Sequence, residues 1–226
     1  LKTRREAYVG TWLPEPVPED LLEGTGEEAQ ALAESLRFGV LLLLERLAPM
    51  QRAVFVLREL VDCDYEEIAA ATGLRAANCR QIYARARARL GEAMPTKGVP
   101  RAQADAVVGD FLGALAARDL PRLTALLTAD AVSLADHGGK ARAARRPVVG
   151  ADRVARLLIG LGRKAERLGE VLDYELRYLN GGLSLLARQA GVVVTAICFE
   201  VRGDLVAGVH FVRNPDKLRW VAGRPA

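Results

Sequence analysis

The chain has 226 residues, of which 50% are hydrophobic and 27% charged, with a formal net charge of +4. This length accommodates one large or two modest domains, and the apolar content is sufficient for packed cores. The longest apolar run, Gly39 to Leu44, falls far short of the ~18 residues of a membrane span, and no signal-peptide pattern follows the basic N-terminus. We therefore expect no membrane partner.

The three cysteines, Cys63, Cys79 and Cys198, lack the spacing of metal ligands. Their odd number favours reduced thiols in a cytoplasmic protein. We expect neither a metal nor a cofactor. The basic charge balance is compatible with nucleic-acid binding but does not establish it, because many basic proteins bind no DNA.

Two proline-containing stretches divide the chain. The first, Trp12 to Asp20, has prolines at positions 14, 16 and 18, which predict a stiff, extended segment. The second, Met94 to Pro100, follows a helical pattern and is typical of a linker. The predicted organisation is a proline-rich linker at 1–26, a helical domain at 27–94, a short linker at 95–100 and a second domain at 101–226.

The first domain shows only helical patterns. Helices are predicted from Glu27 to Leu47, from Pro49 onwards, from Asp64 to Ala71 and from about Arg75 to Ala93. Gly73 permits the left-handed conformation that ends a helix sharply. Two short helices around such a turn predict a helix-turn-helix.

The second helix of this pair has two distinct sides. Cys79, Tyr83, Ala86 and Leu90 form one stripe that is predicted to be buried. No acidic residue lies between Arg75 and Leu90, and the other positions suit phosphates and base edges. The predicted DNA-binding residues are Arg75, Asn78, Arg80, Gln81, Arg85, Arg87 and Arg89. A basic, solvated helix in a structural bundle is the alternative.

The pattern changes after Pro100. Helices are predicted at Arg101 to Ala117, Leu120 to Leu127 and Ala151 to Lys164, and strands dominate later. Asn180-Gly181-Gly182 and Arg202-Gly203-Asp204 provide hairpin turns. The pattern predicts an α+β domain with an antiparallel sheet. Its predicted strands are Ala131 to Leu134, Leu172 to Leu179, Leu183 to Ala187, Val192 to Val201 and Leu205 to Val212.

Several short runs in the first domain carry a family resemblance. They are Leu47 to Phe55, Glu67-Ile68-Ala69, Gly73-Leu74, Asn78-Cys79-Arg80-Gln81 and Arg85-Ala86-Arg87. Together they resemble region four of the extracytoplasmic-function sigma factors, the domain that in this family reads the minus-35 promoter element. One departure is Arg75, where the family usually has Ser or Thr as the helix N-cap.

Three further motifs are spaced along the chain: Trp12-Leu13-Pro14-Glu15-Pro16, Asp136-His137-Gly138-Gly139-Lys140 and Asn214-Pro215-Asp216-Lys217-Leu218. They resemble the motifs of sigma factors with a fused C-terminal SnoaL-like domain, the sigma J-like group. One, Asp136-His137-Gly138-Gly139-Lys140, departs from that group by carrying His137 in place of the first glycine of the motif. Each motif alone is also typical of an ordinary linker or turn. The motif residues form the predicted regulatory interface: Trp12, Leu13, Pro14, Glu15, Pro16, Asp136, Gly138, Gly139, Lys140, Asn214, Pro215, Asp216, Lys217 and Leu218.

The resemblance implies an all-α helix-turn-helix domain followed by an α+β cone-shaped SnoaL-like domain, similar to nuclear transport factor 2. It implies core RNA polymerase and promoter DNA as partners, and a C-terminal domain that acts in place of a separate anti-sigma factor. It also implies that the sigma region-two domain is missing from this chain. We expect the C-terminal domain to contact the linker and sigma parts, with the Trp12 strip close to Asn214 to Leu218.

Two alternative functions remain open. One is a DNA-binding regulator whose α+β domain senses a small ligand. The other is a cyclase- or hydrolase-type enzyme that uses Asp136 and His137 as acid and base. Adjacent residues of an extended segment point in opposite directions, which weakens the enzyme hypothesis. His210, in a predicted strand, is more typical of a packed or half-exposed sheet residue, and we expect no catalytic residues.

Overall fold

The computed structural model of the protein describes residues 8–21, 38–90, 99–144 and 146–222. The first part of the helix predicted from Glu27, and the end predicted at Ala93, lie outside these residues. None of the helices in the described ranges is long and apolar enough to cross a membrane.

In the described part of the first domain, residues 38–90, there are four helices: α1 (Phe38–Leu44), α2 (Pro49–Glu59), α3 (Tyr65–Thr72) and α4 (Ala76–Leu90). Pro49 occupies the first turn of α2, where its fixed φ fits and its missing N–H leaves no bond unmade. Two apolar clusters join the helices. The first contains Leu44, Leu47, Phe55, Ala86 and Leu90, and the second contains Val54, Ile68 and Cys79.

The predicted helix-turn-helix is present as α3 and α4. The Asp64 carboxylate accepts the N–H of Glu67 at 2.8 Å, and the Glu67 carboxylate accepts the N–H of Asp64 at 2.7 Å, which forms a reciprocal cap at the start of α3. Gly73 ends α3 with φ +72°, and its N–H reaches the carbonyl of Ala69 at 2.9 Å. The turn therefore depends on a residue that tolerates positive φ.

Among its described residues, the second domain combines four helices with one six-stranded sheet. The helices are α5 (Arg101–Ala116), α6 (Leu120–Ala125), α7 (Ala151–Arg167) and α8 (Pro215–Leu218). The strands are β1 (Leu127–Asp136), β2 (Val148–Val149), β3 (Asp173–Leu179), β4 (Gly182–Gln189), β5 (Val192–Arg202) and β6 (Leu205–Val212). Their spatial order is β2-β1-β6-β5-β4-β3.

The prediction of an antiparallel sheet is wrong for one pair of strands, because β1 and β6 lie parallel. These strands are far apart in the chain, and local turn signals do not report how such strands pair. β1 is also longer than the predicted Ala131 to Leu134. Its first residue, Leu127, forms part of the strand and not of the preceding helix, which ends at Ala125. The short strand β2 was not predicted.

The two faces of the sheet pack against different partners. On the inner face, Phe199 and Val209 pack with Phe111 of α5 and Val154 of α7. On the outer face, Leu186, Ala196, Cys198 and Val212 pack against the linker residue Leu13, against Phe38 of α1 and against Leu218 of α8. The outer face therefore joins the linker, the first domain and the C-terminal segment in one core.

Candidate functional site

The predicted DNA-binding side of α4 is open to solvent. Cys79, Ala86 and Leu90 are buried as predicted, but Tyr83 is only half-buried. Its ring stacks on Phe55 with the centroids 6.0 Å apart, and its hydroxyl donates to Glu59 at the domain surface. Burial, followed by this hydrogen bond, raises the pKa of Tyr83. All seven predicted DNA-binding residues are exposed: Arg75, Asn78, Arg80, Gln81, Arg85, Arg87 and Arg89.

The start of α4 lies one residue after the predicted position. Arg75 precedes the helix and its carbonyl accepts the N–H of Asn78 at 2.9 Å and of Cys79 at 3.1 Å. Arg75 therefore occupies the N-cap. An arginine side chain has no acceptor atom for the free N–H groups of the first turn. The Arg75 side chain is left exposed beside those N–H groups, at the end of the helix that attracts anions.

Arg80 and Arg85 differ in how they are held. A guanidinium nitrogen of Arg80 lies 3.3 Å from Glu66, and its guanidinium carbon is 5.1 Å from the centroid of the Tyr65 ring. Both charged side chains of this pair are more than half exposed. Within the described first domain, Arg85 has no carboxylate partner. Arg80 is thus pre-positioned at the crossing of α3 and α4, whereas Arg85 is unrestrained.

A second site lies where the linker crosses the outer face of the sheet. We call it the Asp136 cluster, made of Tyr8, Trp12, Leu13, Asp136, Asn214 and Lys217. Asp136 Oδ2 accepts the N–H of Leu13 at 2.9 Å and the Lys217 ammonium at 2.7 Å. Tyr8 donates to Asp136 Oδ1, and burial, followed by this bond, raises the Tyr8 pKa.

Lys217 completes the Asp136 cluster from the opposite side. Its ammonium also donates to the carbonyl of Leu13 and lies 3.8 Å from the centroid of the Trp12 ring. The side chains of Lys217 and Asp136 are only 6% and 0% exposed. A buried charge is tolerated only when it is paired and hydrogen-bonded. Asp136 accepts the backbone N–H of Leu13 and Lys217 donates to the backbone carbonyl of Leu13, so the ion pair holds the linker at both polar groups of this residue.

Asn214 positions Lys217. Its side-chain oxygen accepts the N–H of Asp216 at 3.1 Å and caps α8, and its amide donates to the Tyr8 hydroxyl at 2.8 Å. The N–H groups of Arg213 and Asn214 reach the Asp136 carbonyl at 2.7 Å and 3.1 Å. The segment from Asn214 to Leu218 is therefore a capped helical turn that is anchored to the end of β1.

The glycines after Asp136 are required by close packing. Gly138 has φ +53°, and a Cβ at this position would lie 2.4 Å from Asn214 Nδ2. His137, which departs from the family motif, is buried and accepts the N–H of Gly139 at 3.0 Å through Nδ1. Its Nε2 would lie 2.6 Å from a Cβ at Gly10. A glycine in the linker thus makes room for His137.

Further hydrogen bonds hold the next part of the linker against the edge of the sheet. The Asn180 side chain accepts the N–H of Val17 at 2.7 Å and donates to the Glu15 carbonyl at 3.0 Å. Trp220 Nε1 donates to the Glu15 carboxylate at 2.9 Å, and Lys140 pairs with Asp216 at 2.6 Å on the surface. The sequence did not single out Tyr8, Trp220 or Asn180 as contacts of the linker, although Asn180 was noted for its turn.

The predicted regulatory residues thus come together in space. Trp12 contacts Lys217, as expected from the proximity predicted for these two segments. Leu13 and Leu218 share the outer-face core. Pro14 and Pro16 are buried, whereas Pro215 and Gly139 are exposed.

The first domain contacts the outer face through α1. The ring of Phe38 stacks on His210 with the centroids 5.5 Å apart, and Leu42 packs against the outer-face core. His210 is only 1% exposed and lies 3.6 Å from the Glu200 carboxylate. Among the described residues, neither ring nitrogen of His210 has a hydrogen-bond partner, and the proximity of this side chain is the main cause of a lowered pKa of Glu200. His210 is therefore the packed sheet residue that the sequence predicts.

A cavity of about 1110 Å³ lies between the inner face of the sheet and helices α5 and α7. Neither Asp136 nor His137 is among the side chains that line it. The pair considered as acid and base thus lies apart from the space that would hold a substrate. In the described ranges, no group of three or more His, Cys, Asp or Glu residues is arranged to bind a metal ion.

Comparison with known proteins gives consistent results. Residues 37–90 match the family described as Sigma-70, region 4. Over 228 residues the chain is 37% identical to the ECF RNA polymerase sigma factor SigJ of Mycobacterium tuberculosis (strain ATCC 25618 / H37Rv), a match that covers 95% of this chain and 71% of that protein. The crystal structure of M. tuberculosis SigJ superposes with a TM-score of 0.77 at 32% identity, over 96% of this chain and 78% of that chain. The probable ECF sigma factor SigI of M. tuberculosis (strain CDC 1551 / Oshkosh) is 37% identical over 125 residues, which is 54% of this chain and 41% of that protein.

Proposed function

The chain belongs to the family of extracytoplasmic-function (ECF) RNA polymerase sigma factors, and from this membership we propose that α4 reads the minus-35 promoter element while the C-terminal domain modulates sigma activity in cis. The partners are promoter DNA and core RNA polymerase, and the site of action is the cytoplasm. The observation that carries the first part is the seven-residue polar side of α4, which is exposed along its whole length.

The chemistry of α4 supports direct contact with DNA. Arginine pairs with guanine edges and phosphates, and Asn78 and Gln81 carry the side-chain amides that pair with adenine. A recognition helix presents residues from its N-terminal half to the major groove, so we expect Arg80, Gln81 and Arg85 to face the groove. We expect Arg87 or Arg89 to contact phosphates.

The contacts of the linker support regulation in cis. The linker that precedes the first domain is held by the buried Asp136–Lys217 pair of the second domain, and Phe38 at the start of α1 packs on the same sheet. The two domains are joined by a short linker, which keeps the effective concentration of each near the other high. Any change at the Asp136 cluster would therefore alter how the DNA-binding domain is held.

The position of Asp136 and His137 supports a non-catalytic role for the C-terminal domain. The Asp136 carboxylate is occupied by three donors, and the His137 Nδ1 accepts a backbone N–H. A general acid or base must be able to reach the proton that it transfers. Both groups point into packed linker contacts on the side opposite to the cavity.

Promoter recognition is tested by selecting a preferred duplex from a random DNA library with the 226-residue chain and then measuring its affinity by fluorescence anisotropy. The variant Arg80→Ala/Arg85→Ala removes two contacts, each worth about 1–3 kcal/mol, and is expected to abolish the preference for the selected duplex. The control Arg153→Ala/Arg163→Ala removes the same charge from exposed positions of α7. Equal affinity of both double variants for the selected duplex would refute the assignment.

A further inference from the structure

The inner-face cavity has the size and lining of a small-molecule site. Its volume of about 1110 Å³ is bounded mainly by apolar side chains, including Phe111, Leu158, Ile197, Phe199 and Phe211. Ligand sites in proteins are typically concave, mostly apolar and fitted with a few polar groups that orient the ligand. Leu176 and Tyr174 line the cavity and are each more than half exposed, which places the opening at β3.

One polar group in this lining lacks a counter-charge. Arg213, directly after β6, lines the cavity and donates to the carbonyl of Arg142. Its Nε is buried and has no hydrogen-bond partner, and no carboxylate of the described residues pairs with it. The three arginines within the strands are different, because Arg177 pairs with Asp20, Arg188 with Glu175 and Arg202 with Asp130.

The charges around the cavity are unevenly distributed. At the end near α7, Arg118 is neutralised by Glu166. At the end near Arg213, the lining adds Arg142. A purely apolar ligand leaves the buried Nε–H of Arg213 without an acceptor, whereas a carboxylate accepts two parallel N–H bonds from a guanidinium.

We propose that the cavity binds an anionic amphiphile, an apolar chain or ring system that ends in a carboxylate, with the carboxylate bound by the Nε–H and an Nη–H of Arg213. The apolar body of the ligand fills the space between Phe111, Phe199 and Leu158. Arg213 selects the acid, because a carboxylate accepts two charge-assisted N–H bonds, whereas the hydroxyl oxygen of an alcohol of the same shape accepts without charge assistance.

Ligand binding in the inner-face cavity would supply the signal for the regulation in cis proposed above. The backbone N–H of Arg213 binds the Asp136 carbonyl at 2.7 Å, and the next residue, Asn214, caps the turn that carries Lys217. The residue that carries the proposed ligand-binding side chain is thus directly followed by Asn214, which contacts the linker residue Tyr8. This coupling rests on the proposed function, but ligand binding itself does not.

The test is competition against the neutral dye Nile red in the 226-residue chain, without DNA or RNA polymerase. Sodium decanoate and decan-1-ol, both below their aggregation limits, are compared as competitors. Hydrogen bonds to a charged group predict that decanoate displaces the dye at a concentration roughly ten- to hundredfold lower than the alcohol. Arg213→Gln is expected to erase this preference while dye binding persists, and Arg213→Lys to retain part of it.

The control is Arg202→Gln, which removes a paired and exposed arginine that does not line the cavity. It is expected to keep the full preference for decanoate. The proposal is overturned if acid and alcohol compete equally in the unmodified chain, if Arg213→Gln or Arg213→Lys keeps the whole preference, or if neither compound displaces dye. Because no transcription component is present, failure here leaves the sigma assignment unaffected.

Discussion

The two basic sites of this protein hold their cations in opposite environments. The arginines of α4 are exposed, and Arg85 has no carboxylate partner in the described first domain. In the Asp136 cluster, a single lysine is buried against one aspartate, two aromatic rings and a backbone carbonyl. An exposed cation is available to an external partner such as a phosphate, whereas a buried and fully paired cation stabilises a contact within the chain.

The largest expected effect comes from breaking the buried pair. Lys217→Met leaves the Asp136 carboxylate buried without its counter-charge, and should lower the free energy of unfolding by about 3–5 kcal/mol. The matched control is Lys140→Ala, which removes the exposed pair to Asp216 (53% and 63% exposed) and should lower it by no more than about 1 kcal/mol. Urea denaturation followed by tryptophan fluorescence and circular dichroism measures both. Similar losses for the two variants would contradict the distinction between buried and exposed cations.

An intermediate effect is expected from the backbone fit of the Asp136 cluster. Gly138→Ala combines a positive φ with a Cβ that would lie 2.4 Å from Asn214 Nδ2, and should destabilise the protein by about 1–3 kcal/mol. Gly160→Ala in α7 is the control, because a Cβ there meets no atom within 4 Å and alanine is the better helix former. Thermal unfolding should show opposite shifts of the midpoint for the two variants. An unchanged midpoint in Gly138→Ala would show that the Gly138–Asn214 contact is loose.

The smallest effect concerns the exposed site. Glu66→Gln removes the carboxylate that holds Arg80 and that would repel phosphate, so affinity for the selected duplex should rise by a few-fold, in line with the ~0–1 kcal/mol of a surface pair. The gain should disappear in the Arg80→Ala background. Fluorescence anisotropy at two salt concentrations measures it. Weaker binding by Glu66→Gln would mean that the pair orients Arg80 for DNA contact.

The sequence predicts the local features of the first domain well. Gly73 acts within one turn, so its role in the predicted helix-turn-helix could be recognised from the sequence. The Asp64–Glu67 cap is also local, although the sequence analysis did not single it out. The Asn180-Gly181 hairpin is equally local, with φ of +50° and +72°. The parallel pairing of β1 with β6 is not local, and no turn residue signals it.

The composition of the Asp136 cluster is only partly readable from the sequence. The motifs containing Trp12, Asp136 and Lys217 were identified by resemblance, and the Trp12 strip was expected to lie close to the segment from Asn214 to Leu218, but the position of Asp136 between them was not predicted. Tyr8 is separated from Asp136 by 128 residues, and its role depends on how the linker lies on the sheet. The same holds for Phe38 against His210, because stacking between domains leaves no periodic signal in either segment.

The central claim is that contacts of the linker with the C-terminal domain control sigma activity. The most direct measurement is run-off transcription with core RNA polymerase and the full-length gene product, from a promoter that contains the selected duplex. Trp12→Ala removes the ring beside Lys217, and Val171→Ala shortens an exposed apolar residue that belongs neither to the Asp136 cluster nor to the lining of the cavity. The account predicts that Trp12→Ala changes transcript yield severalfold while Val171→Ala does not, with both proteins folded by circular dichroism. Equal yields from Trp12→Ala and the unmodified protein would contradict it.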